Sequence, residues 1–157
     1  MKACGRWAGS MVLRSHELRR PVRTGTDRLL SRVGMSFDAL YGLELTDCSD
    51  SLVRGRIPVR SDLLADGRGH VHGGVYSAIA EGLAARGTGL AVAPEGRLAV
   101  GFSNLTTTLH PITAGTIHAT AVARHRGRTT WVWEVELSDD DQRRCAVARV
   151  TIAVRDP

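Results

Sequence analysis

Asp66-Gly-Arg-Gly-His-Val-His-Gly-Gly-Val-Tyr-Ser-Ala-Ile-Ala-Glu-Gly-Leu-Ala-Ala-Arg-Gly-Thr-Gly-Leu-Ala-Val-Ala93 is the stretch on which the fold turns. It opens as a polar, Gly-rich turn ending in His72-Gly73-Gly74 and passes at once into an apolar, Ala-rich run with one acid, Glu81. The larger apolar residues at 75, 79, 83 and 90 are spaced for a helix and not for a strand. A helix that begins at two glycines lets another molecule come close to its exposed N–H groups. Those groups are the positive end of the helix dipole, where an oxygen gaining negative charge is stabilised.

Glu81 lies eight residues beyond Gly73, roughly 12 Å along a helix axis. Reacting contacts are about 3 Å, so one helix cannot bring both groups to a single carbonyl. Two antiparallel copies can, with the glycine end of one against the acid of the other. If both residues are catalytic, the protein is at least a dimer.

Working outward, 157 residues are most simply one domain with a real core. No apolar run reaches the 18 or so residues of a membrane span, and the N-terminus lacks the apolar region of a secretory signal. Cys4, Cys48 and Cys145 are odd in number and form no CxxC pair, which favours reduced thiols and a cytoplasmic protein. The net charge of +5 is unevenly placed. Residues 1–34 carry eight basic and two acidic residues, and the other 123 carry 13 basic and 14 acidic. The body therefore gives no reason to expect nucleic-acid binding.

Residues 1–27 are basic and Gly/Ser/Thr-rich without sustained periodicity, and read as an N-terminal extension. A solvated tail, a short packed helix and an Arg-rich targeting peptide all fit that composition. The domain proper is expected over 28–157. Arg28–Leu40 has the spacing of a short amphipathic helix, and Ser51–Val59 alternates as a strand broken on one face by Gly55. The central helix should end between Gly87 and Pro94.

Four extended runs follow. Arg97–His110 groups Val100, Phe102, Asn104 and Thr106 on one face and Leu105 and Leu109 on the other. Thr116–Arg124, Thr129–Ser138 and Arg143–Val154 complete the set, with Trp131, Trp133, Val135 and Leu137 marking a half-buried strand. One long helix with about five strands at hairpin spacing is an α+β pattern.

His72–Glu81, HGGVYSAIAE, resembles the signature of hotdog-fold acyl-CoA thioesterases of the phenylacetate-pathway and 4-hydroxybenzoyl-CoA type. The likeness runs over about residues 35–155 and includes FDALYGLEL, HPITAG, HRGRTT and a final Ala-rich strand. It implies an antiparallel five- to six-stranded sheet wrapped around one long central helix, with protomers paired into homodimers or homotetramers. By the same resemblance the Gly73 N–H would polarise a thioester carbonyl. Glu81 of the partner would be nucleophile or general base, and His72 would hold the loop and the substrate. A thiolate leaves readily, so this pair suffices without a metal or other cofactor, CoA being part of the substrate.

Two positions depart from the family pattern. Asp66 stands where an amide is common, and Ala85 where Ser or Thr is common. Asp66 is then either a second catalytic carboxylate beside Glu81, which raises the pKa of one of the two, or a residue of a different loop that faces solvent. The resemblance also places Gly74, Asn104, Arg126, Gly127, Arg128 and Thr129 at substrate or CoA contacts. On the residues alone, His125–Thr130 equally closes a hairpin with Gly127 at positive φ, and Asn104-Thr106-Thr108 lines an acyl tunnel or faces solvent. His70-x-His72 is a poor metal pair, because the next acid comes nine residues later on a helix. Acyl-CoA hydrolysis leads, over a non-catalytic acyl-CoA-binding protein and a hotdog hydratase or dehydratase.

Overall fold

The computed structural model describes residues 36–65 and 67–157. The basic extension, residues 28–35 and Asp66 lie outside the described residues. Helix α1 (Phe37–Tyr41) starts at Ser36, whose Oγ accepts the Ala39 N–H, and ends at Gly42, whose φ of 79° caps it. Strands β1 (Glu44–Cys48) and β2 (Leu52–Pro58) follow, then helix α2 (Gly73–Val92). Strands β3 (Leu98–Thr108), β4 (Thr116–Arg126), β5 (Thr130–Ser138) and β6 (Arg144–Arg155) complete the chain.

All six strands form one antiparallel sheet in the order β1-β2-β4-β5-β6-β3. Alternation did not reveal β1, because four of its five residues are exposed at the sheet edge. α2 lies across one face of the sheet and buries Tyr76, Ile79, Leu83 and Val92. Opposite them stand Val53, Ile57, Ile117, Trp133, Val150 and Ile152, all at 0% exposure. The alternation at 131, 133, 135 and 137 is the inward face of β5, as expected. Leu90 is not: it is 46% exposed, because α1 covers that side of the helix only as far as Arg86.

Contact between helix and sheet depends on small residues. Leu43, at 2.8 Å, and the helix residue Leu83, at 3.2 Å, both crowd the place of a Cβ at Gly55, the glycine that broke the strand pattern. The Trp133 ring fills the place of a side chain at Gly87, and its Nε1 donates to Thr88 Oγ1 at 2.9 Å. Thr88 in turn donates to the Ala84 carbonyl at 2.9 Å, so the buried indole N–H and the buried hydroxyl are both paired.

Strand β3 corrects the face assignment made from sequence. Gly101 pairs with Ile152 but Asn104 pairs with Val150, so a bulge sits between Gly101 and Ser103. The extra residue reverses the alternation. Ala99, Gly101, Asn104 and Thr106 therefore face the helix, while Val100 is on the outer side with Leu105. Gly127 is a second correction. It is absent from the positive-φ glycines, and a Cβ there would lie 2.6 Å from His125 Nε2 and 2.9 Å from the Thr130 carbonyl. Space, not backbone conformation, requires that glycine.

A methyl group at Gly87 would lie 2.7 Å from Trp133 Cζ2 and 2.9 Å from Val53 Cγ2. Gly87→Ala is expected to cost about 1–3 kcal/mol of stability despite better helix propensity, read as a lower urea midpoint at unchanged slope.

Candidate active site

The glycine turn is held by a local bond. His72 is the N-cap of α2, with φ −65° and ψ 136°, and its Nδ1 accepts the Gly74 N–H at 3.0 Å. That bond places the ring proton of a neutral imidazole on Nε2. It also commits the Gly74 N–H, whereas no described residue accepts the Gly73 N–H. Gly73 is exposed, and a Cβ there would meet only Thr108 Oγ1, at 3.8 Å. Of the two glycine amides, Gly73 is thus the one open to a ligand.

β3 runs antiparallel to α2 and meets it at three levels. Thr108 lies by Gly73, Asn104 Nδ2 donates to the Ser77 carbonyl at 2.9 Å, and Gly101 lies beneath the Glu81 carboxylate. Ser77 O is also the carbonyl that takes the Glu81 N–H in the helical ladder. Asn104 Oδ1 accepts the Thr106 hydroxyl at 2.8 Å, so the amide is engaged at both ends. It ties the strand to the helix one turn before Glu81.

On the other side of Glu81, α1 supplies a polar cluster that sequence reasoning missed. The Tyr41 hydroxyl donates to Asp38 Oδ1 at 2.7 Å and approaches the Ala78 carbonyl at 3.3 Å. Asp38 Oδ2 pairs with Arg86 Nη2 at 3.1 Å. Burial, then the Asp38 carboxylate, pushes the Tyr41 pKa far above the usual phenol range, so this hydroxyl is a permanent donor and no base. Gly82 makes the cluster possible, since a Cβ there would sit 2.9 Å from the Tyr41 oxygen.

Between these walls a groove of about 1020 Å³ runs along α2 from Ser77 and Glu81 past Ala85 and Gly89 to Arg97 and Leu98. Its lining is mostly apolar and small, with charged side chains at intervals, the composition of a small-molecule site. A second hollow of about 510 Å³ lies at His72 and Gly74 and shares Phe37 and Ala78 with the first.

The β4–β5 turn is farther off and already engaged. Arg126 pairs with Asp50 at 2.6 Å and lies 4.8 Å over the Trp131 ring. The Arg128 carbonyl accepts Arg97 Nη1 at 2.8 Å, and the Thr129 carbonyl accepts the Val154 N–H at 2.9 Å. Arg97, which the sequence did not single out, thereby joins this turn to the far end of the groove. His70 Nδ1 contacts the Arg68 carbonyl at 3.2 Å, and the described residues contain no group of three or more His, Cys, Asp or Glu suited to a metal. No described helix is long and apolar enough to cross a membrane.

Loss of the His72 cap leaves the Gly74 N–H unsatisfied. His72→Ala should lower stability by about 1 kcal/mol while His72→Asn retains most of it, measured by urea unfolding of both variants.

Comparison with known proteins gives a consistent picture. The sequence model of the thioesterase superfamily matches residues 68–146. A Mycobacterium tuberculosis protein carrying a provisional esterase name is 35% identical over 122 residues, covering 76% of this chain and 86% of the relative. The 1,4-dihydroxy-2-naphthoyl-CoA hydrolase of Listeria monocytogenes is 34% identical over 87 residues, 55% of this chain and 70% of that protein. Among solved structures, a mutant thioesterase from Pseudomonas aeruginosa superposes with a TM-score of 0.73 at 31% identity, covering 88% of this chain and 99% of the other.

Proposed function

The chain belongs to the thioesterase superfamily, and from that premise we propose that it hydrolyses an acyl-CoA thioester to free acid and CoA at a site completed by two protomers. The observation that carries this reading is the position of Glu81. Its carboxylate lies over Gly101 at the edge strand β3, facing an apolar groove, with the unengaged Gly73 N–H eight residues away on the same helix. That separation, roughly 12 Å, is too great for one copy to act on one carbonyl.

The exposed edge supports pairing with a second copy. β3 has a neighbour on one side only, and Phe102 and Leu105 on it are 73% and 71% exposed. An exposed edge strand is a template for pairing. Discounting the bulged residue, Gly101 and Thr108 are equally far along β3 from Leu105. Antiparallel pairing of β3 with its twofold mate about Leu105 then sets Gly101 against the mate's Thr108. Glu81 of one protomer thereby comes beside Gly73 of the other.

In that arrangement the thioester carbonyl oxygen points at the Gly73 N–H, which stabilises the oxyanion at the positive end of α2. Glu81 either takes a proton from the attacking water or attacks the carbonyl carbon itself. Either route breaks the C–S bond, releases the thiolate and leaves a carboxylic acid after one water is consumed. The CoA moiety is proposed because the Listeria relative is named as a CoA-thioester hydrolase. The acyl group would lie in the groove along Ala85 and Gly89.

Glu81→Gln is expected to lower acyl-CoA turnover at least about a hundredfold with the dimer intact. Gly73→Pro deletes only the N–H: proline suits the first helical position, and the extended His72 suits the residue before it. Each variant alone should be inactive in a thiol-release assay. Mixed and re-associated, they should recover about a quarter of wild-type activity, because half the dimers then hold one intact site of two. No recovery in heterodimers would place both groups in one chain. Separately, Leu105→Cys should cross-link into a disulfide dimer on mild oxidation while Val100→Cys does not, read on a non-reducing gel.

A further inference from the structure

Gly101 has no backbone reason to be glycine. Its φ is not in the positive range, and a strand position would ordinarily favour a β-branched or aromatic residue over glycine. The three atoms nearest a Cβ built there all belong to Glu81, with Cδ at 2.9 Å, Cγ at 3.5 Å and Oε1 closer still. The missing side chain makes room for one thing, the Glu81 carboxylate.

The helix cannot withdraw to relieve such a clash. One turn before Glu81 the Ser77 carbonyl is tied to Asn104 of β3, and the next carbonyl, that of Ala78, has the Tyr41 hydroxyl of α1 packed against it at 3.3 Å. The strand is equally constrained, since Gly101 pairs with the fully buried Ile152. The bulge that follows Gly101 bends the strand at this level, as bulges beside functional sites do. Any side chain at 101 must therefore be accommodated by rotation of Glu81 itself.

We propose that Gly101, with the bulge beside it, is the positioning residue of Glu81: the notch it leaves in β3 holds the carboxylate at the strand edge, where the partner's glycine turn arrives. This rests on the hydrolytic reading above. It adds a determinant of rate that touches no substrate and lies on a different element from the catalytic helix.

The test is a cycle of Gly101→Ala and Glu81→Ala in the full-length protein, with Glu81→Gln alongside. Gly101→Ala should lower kcat for a benzoyl- or hexanoyl-CoA probe about tenfold to a hundredfold, the effect of displacing a reacting group by about an ångström, with KM within about twofold. In thermal melts Gly101→Ala should raise Tm more, or lower it less, when Glu81 is already alanine, because the stiffer backbone is then gained without the clash. Wild-type kcat in Gly101→Ala, or strictly additive Tm changes, overturns the proposal. If Gly101→Ala does not fold, rescue of folding by Glu81→Ala supports the notch and absence of rescue overturns it. Full turnover in Glu81→Gln would instead remove the hydrolytic reading on which the notch depends.

Discussion

The close approach of α2 to the edge strand β3 is the constraint on which the rest depends. A central helix normally stands off a sheet by the width of its side chains. Here the gap closes at Gly101 until a carboxylate on the helix fills the place of a missing Cβ on the strand. Asn104 holds the gap closed from the strand side, by a bond to the Ser77 carbonyl. The consequence is positional: an acid on the helix is delivered to the margin of the sheet.

The same economy of side chains recurs along the helix. Gly82 admits the Tyr41 hydroxyl, Gly87 admits the Trp133 ring, and on β2 Gly55 admits Leu43 and Leu83. Each glycine weakens its own helix or strand by up to about 1 kcal/mol, and each is offset by the burial of a large neighbour. Trp133 shows the balance well. Its ring enters where Gly87 lacks a side chain, and its one polar atom is satisfied by Thr88 on the same helix.

The electrostatics are arranged along the axis of α2. The N-terminus presents one amide used for capping and one left open, while the acid sits two turns on, beyond effective reach of the first-turn N–H groups. Separating the two leaves the open Gly73 amide free of the chain's own carboxylate. Asp38 and Tyr41 line the other wall, with Arg86 balancing Asp38, so the groove beside Glu81 holds paired charges and otherwise small apolar surface.

What the chain declares by itself is what local spacing and backbone chemistry can encode. The helix after His72-Gly73-Gly74, the alternation through Trp131 and Trp133, and the motif from His72 to Glu81 are all periodic or contiguous, and they announced the fold and the family. Features set by partners distant in sequence were hidden. β1 lacks alternation because it is an exposed edge. The bulge after Gly101 reverses a face without altering composition, and Gly127 reads as a turn former although its role is to leave space. Whether Asn104 faces ligand or helix could not be read from a polar strand, since that depends on which carbonyl lies 2.9 Å away. Sequence determined which groups could do chemistry. Tertiary packing decided where Glu81 points, because only a neighbouring strand with a missing Cβ can hold a flexible side chain to one place.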